Sequence, residues 1–345
     1  MEQNLHDVDA IFDALIIGIP QMNLLVKALN IYLQGSKIHK LNELLKDPIF
    51  AMHSNKDEKI LLKSKMTTDR LFRYIVITCT VTATMFLALL FIKRYYDPTS
   101  RLSVYTPFEV NSWGSYSGAV FLKAYPLFWM GCGHLCLDYT VVLYFCQMKV
   151  QLEIIKSNIE NLFDSDDPTN ELIPRGRHRY NDEIDQDIKD RFIHYVKRYE
   201  NLLWFSREVN SIFNIPISIN FLTSMVATCA ATYIFSTVKI LSFQGLFMLL
   251  LIMILSAQVF FICYFGNLVQ FESESLASAV YLSNWYSASP RFRRILLIAM
   301  LCWSRPLSLT VSGVVPISLD TFVSYVKSAY TLYAVNSSMV DSKQQ

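Results

Sequence analysis

Long apolar runs alternate with charged stretches along this chain, and the runs have the length of membrane helices rather than of soluble core helices. They cover residues 8–33, 71–92, 118–148, 209–238 and 240–268, then a closing pair, 294–309 and 314–335. About 20 apolar residues cross a hydrocarbon core as one helix, so the first five runs and the last each predict a span. Their quality differs. The stretch ITCTVTATMFLALLFI at 77–92 carries no charge, whereas 8–33 contains Asp9, Asp13, Gly18, Pro20 and Lys27 and would insert poorly alone. The 294–309 run is short and closed by Arg305-Pro306, which predicts a helix that descends only partly from the side bearing Arg291, Arg293 and Arg294. With 314–335 it makes one broken crossing.

The last run is unusually polar for a lipid anchor. Ser318, Thr321, Ser324, Ser328 and Thr331 recur three or four apart, a spacing that gathers them on one helical stripe facing water or another helix. Two ionisable groups also fall inside apolar runs, Asp138 and Lys327, and such groups are costly in lipid and usually face protein or water. Asp138 reads as a polar tie within a bundle in preference to a cavity lining. Lys327 either snorkels to the headgroups or faces a wide part of a conducting path.

Loop charge sets the orientation. Eight Lys/Arg lie between residues 33 and 71 and nine between 149 and 198, but the 235–244 turn has only Lys239. The positive-inside rule makes both basic loops cytoplasmic, together with the loop holding Arg291 to Arg294. The 93–123 loop and the C-terminus are then outside. Counting back, 8–33 runs from outside to inside, with an acidic, polar N-terminus and no cleavable leader ahead of it.

Outside the membrane, two amphipathic stretches need a partner surface. One carries Val150, Ile154, Ile155, Ile159 and Leu162 on one face, the other Phe192, Tyr195, Val196, Tyr199, Leu202 and Leu203. Either they pack on each other and on neighbouring subunits, or they lie on the headgroups with basic residues toward anionic lipid. A polar, Pro/Gly-punctuated loop, DSDDPTNELIPRGRHRYNDE, separates them.

Composition agrees with a membrane protein: 52% of the 345 residues are hydrophobic and only 17% charged, and mean hydropathy is positive. The net charge of +2 is spread among acidic neighbours and gives no nucleic-acid signal. Seven cysteines sit in or beside apolar runs and read as small hydrophobes. The Cys132-Gly133-His134-Leu135-Cys136 cluster lies within an apolar helix without a second ligand pair, so no metal site is expected. Phosphate-loop, dinucleotide and nucleophile-elbow motifs are missing from the sequence, and neither catalysis nor a cofactor is expected. Asn336-Ser337-Ser338 has the form of a glycosylation sequon but sits too close to the last span for efficient modification.

The wording of the C-terminus is specific. Arg305-Pro306-Leu307, a Gly-containing break, Ser318-Leu319-Asp320-Thr321-Phe322 and a Tyr-bearing final helix resemble the terminal signature of insect odorant receptors. DIKDRFIHYVKRYENLLWFSREVNSIFNI and CYFGNLVQFESESLASAVYLSNWY are similar to that family's lead into its fifth span and to its link from the sixth span to the last. The resemblance covers roughly 12–335, most specifically after Asp187.

It implies an all-α polytopic membrane protein, the odorant receptor-like inverted seven-span bundle, with six spans present here and residues 149–208 forming a cytoplasmic anchor in one domain over 1–345. The family's N-terminal tail and first span are then expected to be missing from this sequence. It further implies an odorant-gated nonselective cation channel in the plasma membrane, working with a co-receptor in a heterotetramer on small volatile odorants. The expected odorant pocket is apolar: Phe12, Leu15 and Ile16; Met85 and Leu89; Phe128, Trp129 and Cys132; and Phe247, Leu250 and Ile254. Leu332 and Val335 are expected at a hydrophobic gate, with Thr331 and Ser338 along the ion path. A gustatory receptor shares the architecture, but Ala329-Tyr330-Thr331-Leu332-Tyr333 does not match that family's last-helix signature. The alternative from another class is a membrane transporter, whose sign would be internal repeats, and none is evident.

Overall fold

In the computed structural model, the described residues are 2–52, 54–96, 108, 110, 112–163, 182–237 and 242–344, and the side chains of 2–17, 182–185, 237, 243–244, 287, 332 and 336–344 lie outside the description. Helices dominate the described residues: α1 (Glu2–Leu33), α2 (Gly35–Leu45), α3 (Asn55–Tyr96), α4 (Trp113–Glu160), α5 (Asp182–Thr237), α6 (Phe243–Leu282), α7 (Pro290–Trp303) and α8 (Leu319–Gln344). A small antiparallel hairpin, β1 (Thr310–Val311) and β2 (Val315–Pro316), separates the last two.

Local chemistry sets the helix starts. Ser112 and Ser115 cap α4 reciprocally, each hydroxyl accepting the other's backbone N–H at 3.2 and 3.0 Å. Ser242 caps α6 through Gly245 N–H at 3.0 Å, and Ser289 precedes Pro290 at the first turn of α7. The 48 residues of α4 extend about 72 Å, more than twice the hydrocarbon thickness, so this helix leaves the membrane as the amphipathic pattern predicts. The same holds for α5.

Among the described residues four helices are long and apolar enough to cross a membrane, within α3, α4, α5 and α6. In α3 only 6% of the most apolar window is buried inside the protein. An apolar surface that large requires lipid or another subunit around it.

The tightest core lies at the opposite end from the α3–α4 connection. Val150, Ile154, Ile155, Ile159, Leu162, Phe192, Tyr199 and Leu202 are all buried in one cluster, with Tyr195, Val196 and Leu203 packed against it. The two amphipathic faces therefore pack on each other within one chain, and the headgroup alternative does not describe them. Helix α7 seals the cluster: the Phe192 ring lies 5.7 Å from Phe292 and 5.9 Å from Trp303, and Tyr199 lies 5.6 Å from Trp303.

A guanidinium sits in the middle of this core. Arg198 is 1% exposed; its Nε and Nη2 donate to Gln151 Oε1 at 3.0 and 2.6 Å, and Nη1 and Nη2 donate to the Ala51 and Phe50 carbonyls at 3.3 Å. Burial pulls its pKa down, while Asp57 and Tyr195 oppose that shift; Arg stays protonated in proteins regardless. One side chain thus ties α5 to α4 and to the turn after α2.

The closing pair of apolar runs is arranged differently from the expected 294–309 and 314–335. Helix α7 stops at Trp303, and its 14 residues extend only about 21 Å, so it cannot cross alone. Residues 314–317 belong to the hairpin and its exit, and α8 begins at Leu319. Pro316 disfavours a helix interior, and Ser312 and Gly313 take positive φ of 54° and 71° to turn the chain. Ser318 then caps α8, its hydroxyl accepting Thr321 N–H at 3.4 Å.

Replacing Arg198 with Leu leaves Gln151 and two carbonyls without a donor in a closed core, a cost on the order of 3 kcal/mol. R198L is expected to lower the melting temperature of the detergent-solubilised protein, read as loss of the monodisperse chromatographic peak on heating. An unchanged melt would show that water replaces the guanidinium.

Candidate functional site

Where apolar helices carry polar groups, the structure pairs them across the bundle. Lys27 of α1, 4% exposed, reaches Asp138 Oδ1 of α4 at 2.5 Å. Its ammonium also lies 3.4 Å from His134 Nδ1, while His134 Nε2 lies 2.9 Å from the Pro20 carbonyl. These partners define a neutral ring that donates from Nε2 to Pro20 and accepts from Lys27 at Nδ1. One helical turn away, Asn23 donates to Asn220 Oδ1 of α5 at 2.9 Å, and Asn30 donates to the Ile212 carbonyl at 2.9 Å. Gly133 lets the helices approach this closely, because a Cβ there would stand 2.9 Å from Leu24 Cδ1.

Asp138 is thus the tie expected of it. The partner was hidden in the sequence: Lys27 reads there only as a defect in a span, although an acid and a base in separate apolar helices are a pairing signal. The hydrogen bonds of Asn23 and Asn30 to α5 could have been suspected from the same rule. His134 is held by this seam rather than by the neighbouring cysteines.

A second polar device fixes the hairpin. Asn210, Asn214 and Ser218 stand four apart on α5; Thr310 N–H donates to Asn210 Oδ1 at 3.1 Å, Ser312 N–H to Asn214 Oδ1 at 2.6 Å, and the Ser312 hydroxyl to Ser218 Oγ at 2.9 Å. On the other side Ile317 presses on α6 at Gly266, where an added Cβ would come within 2.5 Å of Ile317 Cγ2 and 2.8 Å of its carbonyl oxygen. Farther along, Tyr325 of α8 is buried with its hydroxyl 2.6 Å from Thr228 Oγ1 of α5. The Phe322 ring lies 5.2 Å from Phe260 of α6, and Tyr333 lies 6.0 Å from Phe235 of α5.

These contacts use one side of α8. The other side carries Ser324, Lys327, Thr331 and Val335, all exposed in the single chain, at spacings that share one face. The hydroxyls of Ser324, Ser328 and Thr331 each donate to the backbone carbonyl four residues earlier at 2.9 Å. The stripe is shorter than the sequence suggests: Ser318 and Thr321 belong to the cap, where Thr321 Oγ1 donates to the Pro316 carbonyl at 2.7 Å. Leu332 and Ser338 are helical, but their side chains lie outside the described ones.

The expected pocket residues are partly assembled. Met85 and Leu89 of α3, Cys132 of α4 and Phe247, Leu250 and Ile254 of α6 are half-buried, and the Phe86 and Phe247 rings, 5.6 Å apart, join α3 to α6 at this level. Phe128 and Trp129 are 63% and 59% exposed, in a row with Tyr125, so they enclose no cavity within this chain. Phe12, Leu15 and Ile16 lie in α1 with side chains outside the described ones.

Long apolar helices, exposed apolar faces and an ion pair turned inward define a polytopic α-helical membrane protein. A family model described as 7tm Odorant receptor matches residues 7–330, and the chain belongs to that family, one of receptors and not of enzymes. It is 29% identical to Odorant receptor 49a of Drosophila melanogaster over 153 residues, 44% of this chain and 38% of that protein. Odorant receptor 19a of the same species is 33% identical over 140 residues, 40% of this chain and 36% of that protein. These two matches span little more than a third of the relatives' own length. A more distant match, to Odorant receptor 46a isoform B, is 22% identical over 340 residues, 97% of this chain and 84% of that protein. The insect olfactory receptor OR5 from Machilis hrabei, solved in complex with eugenol, has a TM-score of 0.75 over 94% of this chain and 80% of its own at 16% identity, a likeness of fold alone.

Lys27→Met leaves a carboxylate buried without its counter-ion, a loss of about 3–5 kcal/mol, and is expected to cut the amount of protein at the cell surface several-fold by biotinylation. The double variant Lys27→Met with Asp138→Leu is expected to recover part of that loss. Equal deficits in the single and double variants would show that the pair contributes no coupling.

Proposed function

We propose that this chain is the ligand-binding subunit of an odorant-gated, nonselective cation channel, working in the plasma membrane with a co-receptor in a heterotetramer. The observation that carries the reading is the exposed face of α8. A helix that closes a bundle with one apolar, tethered side and one side bearing Ser324, Lys327, Thr331 and Val335 is suited to line a shared aqueous axis. Four such helices supply hydroxyls along the path, from Thr331 and Ser338, and a ring of Leu332 and Val335 toward the outer end. A ring of that kind blocks hydrated ions by dewetting.

The odorant site of this reading lies between the outer parts of α1, α3, α4 and α6. Met85, Leu89, Cys132, Phe247, Leu250 and Ile254 form its walls with Phe12, Leu15 and Ile16, while Phe128 and Trp129 complete it only if α4 turns or a neighbouring subunit covers them. Apolar walls with few polar groups suit small volatile molecules; eugenol in the OR5 complex is a ligand of that type. The basic segments at 33–71 and 149–198 face the cytoplasm and the C-terminus faces outside, as the charge bias requires. Binding gates the pore only through different affinities for its closed and open forms. The hairpin held by Asn210 and Asn214, and continuous with α8, is the element through which that difference reaches the pore.

Co-expression with the insect co-receptor in oocytes and challenge with an odorant panel is expected to give an odorant-evoked nonselective cation current, and Val335→Ser to raise the basal current at equal surface level. Substrate-coupled flux without channel current would replace this reading with a transporter. Unchanged leak in V335S would remove Val335 from the gate.

A further inference from the structure

Only half of α3 is apolar. Its 42 residues extend about 63 Å, roughly twice the hydrocarbon thickness, so the half that starts at Asn55 stands beyond the bilayer. Lys56, Lys59, Lys63 and Arg70 are all exposed there, and at about 100° per residue they fall within one arc of about 60°. Tyr74, Ile77 and Val81 continue the same arc into the apolar half, 62%, 51% and 46% exposed. One uninterrupted outer face of α3 is therefore first basic and then turned to lipid.

The acids of this stretch are directed elsewhere. Asp57 is buried and accepts from Asn158 at 3.2 Å, Asp69 accepts from Tyr139 at 3.0 Å, and these two and Glu58 lie about 80° or more outside the arc. The packed side of α3 is the opposite one, where the Ser64 and Thr68 hydroxyls lie 3.3 Å from Cys146 Sγ and the Phe72 and Tyr139 rings stack at 4.0 Å. Arg73, also exposed, flanks the arc. Among the described residues no ion pair uses any of these five cations, so their charge is left for an anion from outside the chain.

Charge placement selects that anion. Arg70 and Arg73 lie within about a turn of Tyr74, where the apolar face begins, whereas Lys63 and Lys59 stand about 10 and 16 Å beyond Arg70 along the axis. A lipid whose charge lies in the plane of the phosphodiesters reaches only the two arginines. A headgroup with phosphates on a ring that projects from that plane reaches the lysines as well, because their four-carbon stems fold back toward it.

We propose that this face of α3 docks a polyphosphoinositide of the surrounding leaflet. Arg70 and Arg73 take its phosphodiester, Lys63 and Lys59 take the ring phosphates, and the acyl chains lie along Tyr74, Ile77 and Val81. In the orientation proposed above this end of α3 faces the cytoplasm, the side on which anionic lipids concentrate. Access to that leaflet rests on the orientation; the binding itself does not.

The test needs no current, so its failure is distinct from failure of the channel reading. The full-length chain in detergent is titrated with dioctanoyl phosphatidylinositol 4,5-bisphosphate, and bound lipid is counted by native mass spectrometry. Each cation near an anionic surface is worth about fivefold in affinity, so Lys59→Gln, Lys63→Gln and Arg70→Gln combined are expected to lower it on the order of a hundredfold. Lys37→Gln, Lys40→Gln and Lys65→Gln combined remove the same charge from exposed positions off this face and are expected to change it little. Dioctanoyl phosphatidylserine, without ring phosphates, and free inositol trisphosphate, without acyl chains, are each expected to bind more weakly by about tenfold or more. Equal losses in the two triple variants, or either comparison ligand binding as tightly as the inositol lipid, would overturn the proposal. So would a self-associated chain that binds no lipid and separates in the first triple variant, since a second copy would then cover the face. The wild-type ligand preference decides the matter even if a variant fails to fold.

Discussion

The bundle depends on a charge neutralised inside the membrane. Lys27 alone at a helix centre costs about 2.5–3.5 kcal/mol on insertion scales, and Asp138 a similar amount. Each is unfavourable in its own helix and tolerable only when the two meet, at 2.5 Å in the assembled chain. The association of α1 with α4 is thereby made conditional on register: a slip of one residue turns Lys27 away from Asp138 by about 100° and also moves Leu24 off Gly133. Ordinary apolar packing has no comparable selectivity in lipid, where side chains lose nothing by facing hydrocarbon. The Asn23–Asn220 and Asn30–Ile212 bonds extend the same logic to α5, so α1 is positioned on two neighbours by polar groups along one side.

The end of the bundle beyond the apolar spans of α4 and α5 is held by different physics. There the amphipathic continuations of α4 and α5 meet water at their rims, the hydrophobic effect operates in full, and the aromatic cluster of Phe192, Phe292 and Trp303 forms a closed core. Arg198 fits this core because neutral acceptors from two segments, Gln151 of α4 and the Phe50–Ala51 turn, converge on it and distribute its charge. Toward the opposite end α3 is sparsely buried: it has only three buried residues in 42, Asp57, Thr68 and Thr82, of which only Thr82 lies toward that end. The firmly packed core at one end and the sparsely buried α3 at the other divide rigidity from adaptability along this helix, and sparse burial is what allows local rearrangement at low cost.

Much of this was legible in the sequence, and the failures have a common cause. Apolar run length located α3, α4, α5 and α6, and the amphipathic periods of 150–162 and 192–203 identified faces that are indeed buried. Those are local properties. Lys27 and Asp138 are 111 residues apart, and Arg198 and Gln151 are 47 apart, so their pairing depends on which helices become neighbours, and no local pattern carries that. The junction before α8 was misplaced for a related reason. Residues 314–317 are apolar enough to continue a span, but the hairpin is stabilised by Asn210 and Asn214 from a distant helix, and hydropathy cannot register a hydrogen bond to another segment. The exposure of Phe128 and Trp129 belongs to the same class: position on a helix is readable, the direction a helix faces in the bundle is not.

These contacts give α8 an uneven set of constraints. Its start is held on both sides, by the hairpin on α5 and by Ile317 lodged against Gly266 of α6, where no larger residue fits without displacing backbone. Its middle is held by the Tyr325–Thr228 bond, and farther along the Phe235 and Tyr333 rings lie 6.0 Å apart. A rigid helix anchored at its start tilts about that anchor, so any displacement grows along its length toward Val335. A small change at the hairpin is then sufficient to move the far end, because a rotation of a few degrees over the roughly 24 Å from Leu319 to Val335 shifts that end by about one to two ångströms. The glycine and the two asparagines, none of them in the apolar pattern that first defines the helix, fix where that pivot lies.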